Sequence, residues 1–430
     1  MAKIAFHTLG CKLNFAESSD LLRRFIAEGY EECSFHEKAD VYVVNTCTVT
    51  AIAEKKCRNA VRQVHNLNPD ALIAVIGCFS QVNAKEIEKI EGVSIILGND
   101  NKHLLIDKVK QWQKENSLDN SVIDISNLHD FYSSISYSNR TRGFLKVQDG
   151  CDYFCSYCEI PFARGRSRSC SVAEAVKDAE ILAKENKKEV VLTGVNIGDF
   201  GKGSNENFLD LIRELDKIED IKRYRISSIE PNLLTKEIID FCSQSNSFMP
   251  HFHIPLQSGS NVVLKTMRRR YKREEFAEKV YYIKDKMPDA FIACDVMTGF
   301  NTETEEEFQS AYDFLNSLPI AFIHVFTYSE RPDTKASQLE GYVPVNERRK
   351  RSEVLQKLAV EKKNAFYKAN IGYTGNVLWE ENNKDGKIYG FTDNYIRVQN
   401  TFNPKLINNI TQEKLSRLSD DNEFFIIDNE

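Results

Sequence analysis

The stretch FLKVQDGCDYFCSYC, residues 144–158, decides how this 430-residue sequence is read. A β-type run is followed at once by Cys151, Cys155 and Cys158, three thiols within eight residues. Such compact spacing lets one loop wrap three thiolates around a cubane iron–sulfur cluster and leaves the fourth iron open to a chelating small molecule. A zinc knuckle is the competing reading; it needs a fourth Cys or His at ligand spacing, and none follows nearby. Working outward, the alternation of an apolar strand with a helical segment occurs six times up to about Ala369: FLKVQDG, EVVLTGVN, RYRISSIE, HFHIPLQ, FIACDVMTGF and AFIHVFTYS. Six such units predict a curved, partial (β/α)6 barrel. Functional groups of such a barrel gather at the C-terminal ends of its strands.

Upstream, KIAFHTLG, DVYVVNT and ALIAVIG alternate with helical stretches near Ala16–Glu28 and Ala51–Asn66, which predicts an open parallel α/β domain over residues 1–115. Cys11, Cys47 and Cys78 each follow one of these strands. In a parallel sheet the strand carboxyl ends share one edge, where ligands bind, so three thiols distant in sequence can converge there. One cysteine at a strand end is an ordinary small apolar residue; three in matching positions point to ligation. Cys33, Cys57, Cys170, Cys242 and Cys294 lack the pattern and are read as plain thiols. Residues 113–140 are polar, rich in Ser and Asn, and read as a connector, with the barrel domain spanning 137–370. Beyond Gly372, short strands punctuated by Gly, Asn and Asp (TGNVLWEE, GKIYGFTDNYIRVQN, EFFIIDN) predict a small all-β barrel over 373–430.

An apolar content of 42% with 28% charged residues excludes global disorder. No apolar run is long enough to cross a membrane, and the first residues lead straight into a strand, so a cytoplasmic protein with no membrane partner is expected. In a reducing compartment, eleven cysteines, an odd number, point to metal ligation and not to a disulfide framework. The net charge of −6 means that any nucleic-acid contact rests on local patches. The candidates are Arg164, Arg166 and Arg168; Arg268 to Arg270 with Lys272 and Arg273; and Arg348 to Arg351, for which a solvated helix face is the alternative. From Tyr373 onward there are six Lys or Arg against ten Asp or Glu, which leaves Tyr395 and Arg397 as the RNA-facing candidates of the last domain.

The CxxxCxxC spacing, with Tyr157 just before the last cysteine, resembles the signature of the radical S-adenosylmethionine superfamily. The segments Gly10-Cys11-Lys12-Leu13-Asn14 with Glu17-Ser18, Val44 to Thr50 around Cys47, Gly77-Cys78-Phe79-Ser80-Gln81, Asp149-Gly150-Cys151 and Ile160 to Ser169 resemble the methylthiotransferase family within it, and the C-terminal barrel resembles the RNA-binding TRAM domain. That resemblance covers nearly the whole chain. It implies two 4Fe-4S clusters: one on Cys151, Cys155 and Cys158 that binds and cleaves S-adenosylmethionine, and one on Cys11, Cys47 and Cys78 that holds the sulfur to be transferred. It further implies that Tyr157, Ser228, Glu230 and Gln257 lie near the cofactor, with Gly194 allowing close backbone approach. The branch it points to methylthiolates N6-threonylcarbamoyladenosine at position 37, in the anticodon loop of tRNA. Sister branches act on isopentenyladenosine in tRNA or on a ribosomal-protein aspartate. An external electron donor and a sulfur donor are implied as partners. Two departures stand out: Phe15 replaces a frequent Gln, and Asn301-Thr302 replaces Pro-Gly after the fifth barrel strand, where a changed turn is expected.

Overall fold

The computed structural model describes the chain apart from Val49, Ser126, Asn127, His129, residues 137–140, Asn382 and residues 428–430. Val49 of the second cysteine motif, parts of the connector including the expected start of the barrel domain, and the chain end thus lie outside the described residues.

The first domain is a six-stranded all-parallel sheet in the order Glu31–Glu32, Lys3–Thr8, Val41–Thr46, Leu72–Gly77, Val93–Leu97, Asp119–Asn120. Alternate residues feed opposite faces. Ile4, Val43, Ala74 and Ile95 pack under the helices Lys12–Ala27 and Leu105–Glu115, while Ala5, Val44, Val75 and Ile96 pack under Ala51–Leu67 and Cys78–Ile87. The chain order reverses between Lys3–Thr8 and Val41–Thr46, and a doubly wound sheet places its binding crevice beyond the strand ends at that reversal. Asp119–Asn120, expected in the connector, instead adds a strand beside Ile95 and Ile96.

All six barrel strands form: Arg142–Lys146, Glu189–Thr193, Arg223–Ile226, His251–His253, Phe291–Thr298 and Phe322–Thr327. They pair in parallel as two groups of three, bridged by Tyr224 to Phe248 and Ser228 to His253, with Ser134–Ile135 antiparallel at one edge. Period-two alternation again sorts the side chains. Ile292, Cys294 and Val296 pack outward against helices, whereas Phe291, Ala293, Asp295 and Met297 line interior cavities. The Asn301-Thr302 turn has a left-handed backbone: Thr302 takes φ +78°, and the Asn301 amide anchors the loop on the Ala336 and Leu339 carbonyls, 3.1 and 2.8 Å away. Phe15 packs edge-on against Phe144 at 5.7 Å, tying the first domain to the barrel wall.

The C-terminal domain is a curled six-stranded sheet that matches the TRAM-like barrel. Besides the strands expected from sequence it contains Ile410–Lys414 and Arg417–Leu418. It closes the base of the large barrel, where Glu189 accepts from Arg225 Nε at 2.9 Å and lies 3.2 Å from Arg142 Nε. The remaining donors of Arg225 reach the Asp393 and Thr392 carbonyls, both at 2.9 Å, and Arg223 reaches the Phe391 carbonyl at 3.0 Å. Burial alone would raise the Glu189 carboxyl, but Arg225, Arg142 and Arg223 bring it down to about 2. A carboxyl held below its unfolded value contributes stability that is complete above that value and is lost as pH falls through the folded one. Glu189→Gln is therefore expected to cost about 3 kcal/mol at neutral pH. The deficit, read as a melting-temperature difference from the parent, should shrink as pH is lowered from about 5 toward about 2.

Candidate active site

Strand Arg142–Lys146 delivers the chain to Gly150, whose φ is +69° and whose missing Cβ would meet the Arg166 carbonyl oxygen at 1.9 Å. Only glycine fits there. The cysteine loop then closes on itself: the Cys151 amide donates to the Gly165 carbonyl at 3.1 Å, and the Cys158 amide to the Cys155 carbonyl at 3.0 Å. Arg269 Nη1 donates to Cys155 Sγ at 3.2 Å and reaches the Tyr157 hydroxyl at 3.4 Å, while its other nitrogen pairs with Glu230. Burial pushes the Cys151 thiol up to about 12 and the Cys158 thiol higher still. Such thiols become thiolates when a cationic metal centre takes the place of the proton, so the donor set and its environment fit an iron–sulfur cluster.

The other expected cofactor residues separate in space. Gln257, in a left-handed conformation at φ +68°, lines a cavity of about 240 Å³ with Cys158, Tyr157, Asp295 and Thr48. Ser228 does not line that cavity; its hydroxyl lies 3.2 Å from His253 Nδ1. The close approach at Gly194 is to the Gln148 side chain, whose Cβ would lie 3.0 Å from a Cβ on residue 194.

Cys11, Cys47 and Cys78 all stand at the crevice edge of the first sheet. Gly10, at φ +101°, brings the first loop so near the second that an added Cβ would lie 2.8 Å from Cys47 Cβ. Motif side chains lace the three loops together. Asn14 Nδ2 donates to the Leu9 and Thr46 carbonyls at 2.8 and 2.9 Å; Thr46 Oγ1 donates to the Ile76 carbonyl at 2.6 Å and accepts from the Phe79 amide at 3.1 Å. Asn99 Nδ2 lies 3.4 Å from Cys78 Sγ.

Between the two cysteine sites lies a buried ion network. Glu17 meets Lys146 at 2.9 Å, Arg164 at 3.1 Å and Lys102; Asp149 meets Lys146 at 2.8 Å, Arg164 at 2.9 Å and Arg168 at 3.2 Å. The Arg164 guanidinium also feels the thiols of Cys78 and Cys11. Against burial, Arg164, Lys102 and Lys146 hold the Glu17 carboxyl far below the usual range. Four cations, Lys102, Lys146, Arg164 and Arg168, meet two carboxylates in this network and leave surplus positive charge near Cys11 and Cys78. That surplus fits a site whose thiolate ligands carry negative charge.

The network corrects the RNA-patch reading. Arg164 is 1% exposed and Arg168 is committed to Asp149 and to the Asp130 and Arg164 carbonyls, so neither is free to meet a phosphate. Arg166, 59% exposed, lies 4.6 Å above the Phe154 ring and 3.7 Å from Asp152, and the half-buried Arg397 lies 4.3 Å over Tyr389, so these two are less committed than Arg164 and Arg168. Arg348 and Arg351 are structural as well, donating to the Val343 carbonyl and to Glu303 at 2.7 and 3.0 Å. Arg269 belongs to the cluster site. Sequence reasoning missed Arg331, which pairs with Glu54 at 2.7 Å beside Thr48 and Glu159 and clamps the first domain to the barrel. Its partners lie hundreds of residues away, so no local pattern marks it. Cys57, Cys170, Cys242 and Cys294 sit in the apolar cores.

Residues 3–98 match the model of the uncharacterized protein family UPF0004, and residues 145–315 that of the radical SAM superfamily. The threonylcarbamoyladenosine tRNA methylthiotransferase MtaB of Bacillus subtilis is 38% identical over 96% of this chain and 94% of its own length. The chain belongs to the methylthiotransferase family of radical S-adenosylmethionine enzymes. The methylthiotransferase of the same name from Aquifex aeolicus is 39% identical over 92% of this chain and 96% of its own. Among solved structures, the radical S-adenosylmethionine methyltransferase TsrM from Kitasatospora setae shares the fold, with a TM-score of 0.59 at 14% identity over 78% of this chain and 74% of that one. No helix among the described residues is long and apolar enough to cross a membrane.

In this methylthiotransferase Arg164 is the bolt between domains. Arg164→Met removes the one fork that bonds Asn14, Glu17 and Asp149 together, leaves their buried oxygens short of donors, and is expected to cost about 3–5 kcal/mol. Arg164→Lys restores the charge but not the planar fork that serves Asn14, Glu17 and Asp149 together, and should recover only part of the loss in thermal unfolding.

Proposed function

We propose that this methylthiotransferase converts N6-threonylcarbamoyladenosine at position 37 of tRNA to its 2-methylthio form, with two 4Fe-4S clusters and S-adenosylmethionine. The observation that supports the reading is that the Glu17, Arg164 and Asp149 network ties the segment bearing the barrel-loop cysteines to the crevice edge that bears the other three. Adenine C2–H is neither acidic nor electrophilic, so side-chain acid–base chemistry offers no route to a carbon–sulfur bond there and a cofactor must supply radical chemistry. Bound on Cys151, Cys155 and Cys158, one cluster would supply one-electron cleavage of S-adenosylmethionine, and a second on Cys11, Cys47 and Cys78 would hold the transferable sulfur.

The protein's own groups set the stage for that chemistry. Arg269 places a buried positive charge on Cys155 and orients Tyr157 and Glu230. Gln257 and Asp295 face the cavity next to Cys158, where the cofactor's polar groups would be met. Residues 1–115 and 137–370 divide the two cluster sites between them, and 373–430 with Arg397, together with Arg166 on the barrel, offer cations beside aromatic rings to an anticodon loop. An external reductant and a sulfur donor complete the reaction.

The two trios separate the two halves of the chemistry. In anaerobic assays, Ala at Cys151, Cys155 or Cys158 should abolish formation of 5′-deoxyadenosine. Ala at Cys11, Cys47 and Cys78 together should leave deoxyadenosine formation in place, remove the methylthio nucleoside and lower iron content by about four atoms. Full iron content with continued methylthiolation in the triple variant would reduce those cysteines to core residues.

A further inference from the structure

A second cavity of about 500 Å³ lies under the C-terminal sheet, walled by Lys12, His251, His253, His324, Tyr395 and Arg397, and adjoins the first where its His253 meets Asp295 of the other at 2.8 Å. Lys12 directly follows Cys11, the N-cap of helix Lys12–Ala27, so the turn that carries a ligand candidate of the second cysteine site also supplies a wall of this cavity. The Lys12 ammonium makes no hydrogen bond or ion pair with any described residue. Its charge is nevertheless felt by His251 and His324, and Arg142 and Arg225 lie close enough to act on it.

The carboxylates nearby are already engaged. Glu189 serves Arg225, Arg142 and Arg223; Glu423 pairs with Lys363 at 2.5 Å; Asp295 lies 2.8 Å from His253 Nε2. His251 Nδ1 is buried without a hydrogen-bond partner. The result is a semi-enclosed cavity with an unpaired cation and unsatisfied imidazole nitrogen, the complement of an anion that carries further polar atoms. A divalent cation is the rival occupant, because ligand atoms of His253, Asp295 and His324 come within 4.8 Å of one another. Lys12 and Arg225 oppose it, since like charges at close range in a cavity repel strongly.

An N6-threonylcarbamoyl group is joined through the threonine nitrogen, so its carboxylate stays free and is ionised at neutral pH. We propose that Lys12 receives this carboxylate, and that the cavity thereby selects a threonylcarbamoylated adenosine over one whose N6 substituent is apolar. The proposal rests on the function argued above and assigns its specificity to one residue. A backbone phosphate is the other source of an anion, and the test separates the two.

The test uses the anaerobically reconstituted full-length enzyme and two anticodon stem-loops, one with threonylcarbamoyladenosine and one with the same group as its carboxamide. The parent should show a KM about tenfold or more lower for the carboxylate, the range of a charge-assisted hydrogen bond. Lys12→Gln should raise KM for the carboxylate by a similar factor and leave the carboxamide within about twofold, and Lys12→Arg should retain most of the preference. An equal rise on both stem-loops would mean a phosphate contact or a structural role and would overturn the proposal. So would a divalent ion in excess of the clusters that disappears in His324→Ala. Absence of product from the parent on both stem-loops would overturn the functional reading itself, and this proposal with it.

Discussion

The Arg164 guanidinium, held at once by Glu17 of the first domain and by Asp149 just beyond the first barrel strand, is the interaction on which the rest of the structure depends. Buried charges of this kind are costly to bring together and costlier to separate, so the pair fixes a geometry more than it adds stability. What it fixes is the placement of one cysteine trio relative to the other. Asn14, which accepts from Arg164 at 2.5 Å, also stitches the Cys11 loop to the Cys47 strand, so the domain contact and the ligand loops share their donors. Under the proposed function the surplus of buried cations would offset the negative charge that cluster-bound thiolates bring.

A second consequence concerns the C-terminal domain, whose excess of acidic residues sits poorly with a simple electrostatic grip on RNA. Arg223 and Arg225 dock this domain through its main-chain carbonyls, a mode indifferent to its net charge. Tyr395 at φ +66° lies in the turn between two strands of that domain, with Arg225 4.8 Å over its ring, and so faces the lumen. The domain acts as a floor to the barrel, and under the proposed function tRNA recognition would fall to a few cations beside rings.

Much of this was legible in the sequence, for definable reasons. Six apolar runs in parallel-sheet style became the six barrel strands, and three cysteines at matching strand ends came to one edge because a parallel sheet has only one such edge. Basic runs were misread where the partners are remote: Arg164 and Glu17 are 147 residues apart, and nothing local tells a buried guanidinium from an exposed one. Arg269 was assigned to RNA for the same reason and turned out to touch Cys155. Asp119–Asn120 and Ile410–Lys414 escaped because edge strands that short or that polar carry no apolar period. Thr302 shows the limit of turn rules: a loop anchored by Asn301 holds a β-branched residue at positive φ, a conformation that favours glycine.

Nucleoside analysis of tRNA from cells that lack this chain tests the central claim most directly. The account predicts that 2-methylthio-N6-threonylcarbamoyladenosine disappears, that its unmethylthiolated precursor accumulates, and that the methylthio derivative of isopentenyladenosine is unchanged. Persistence of the first nucleoside, or loss of the second derivative in its place, would contradict it.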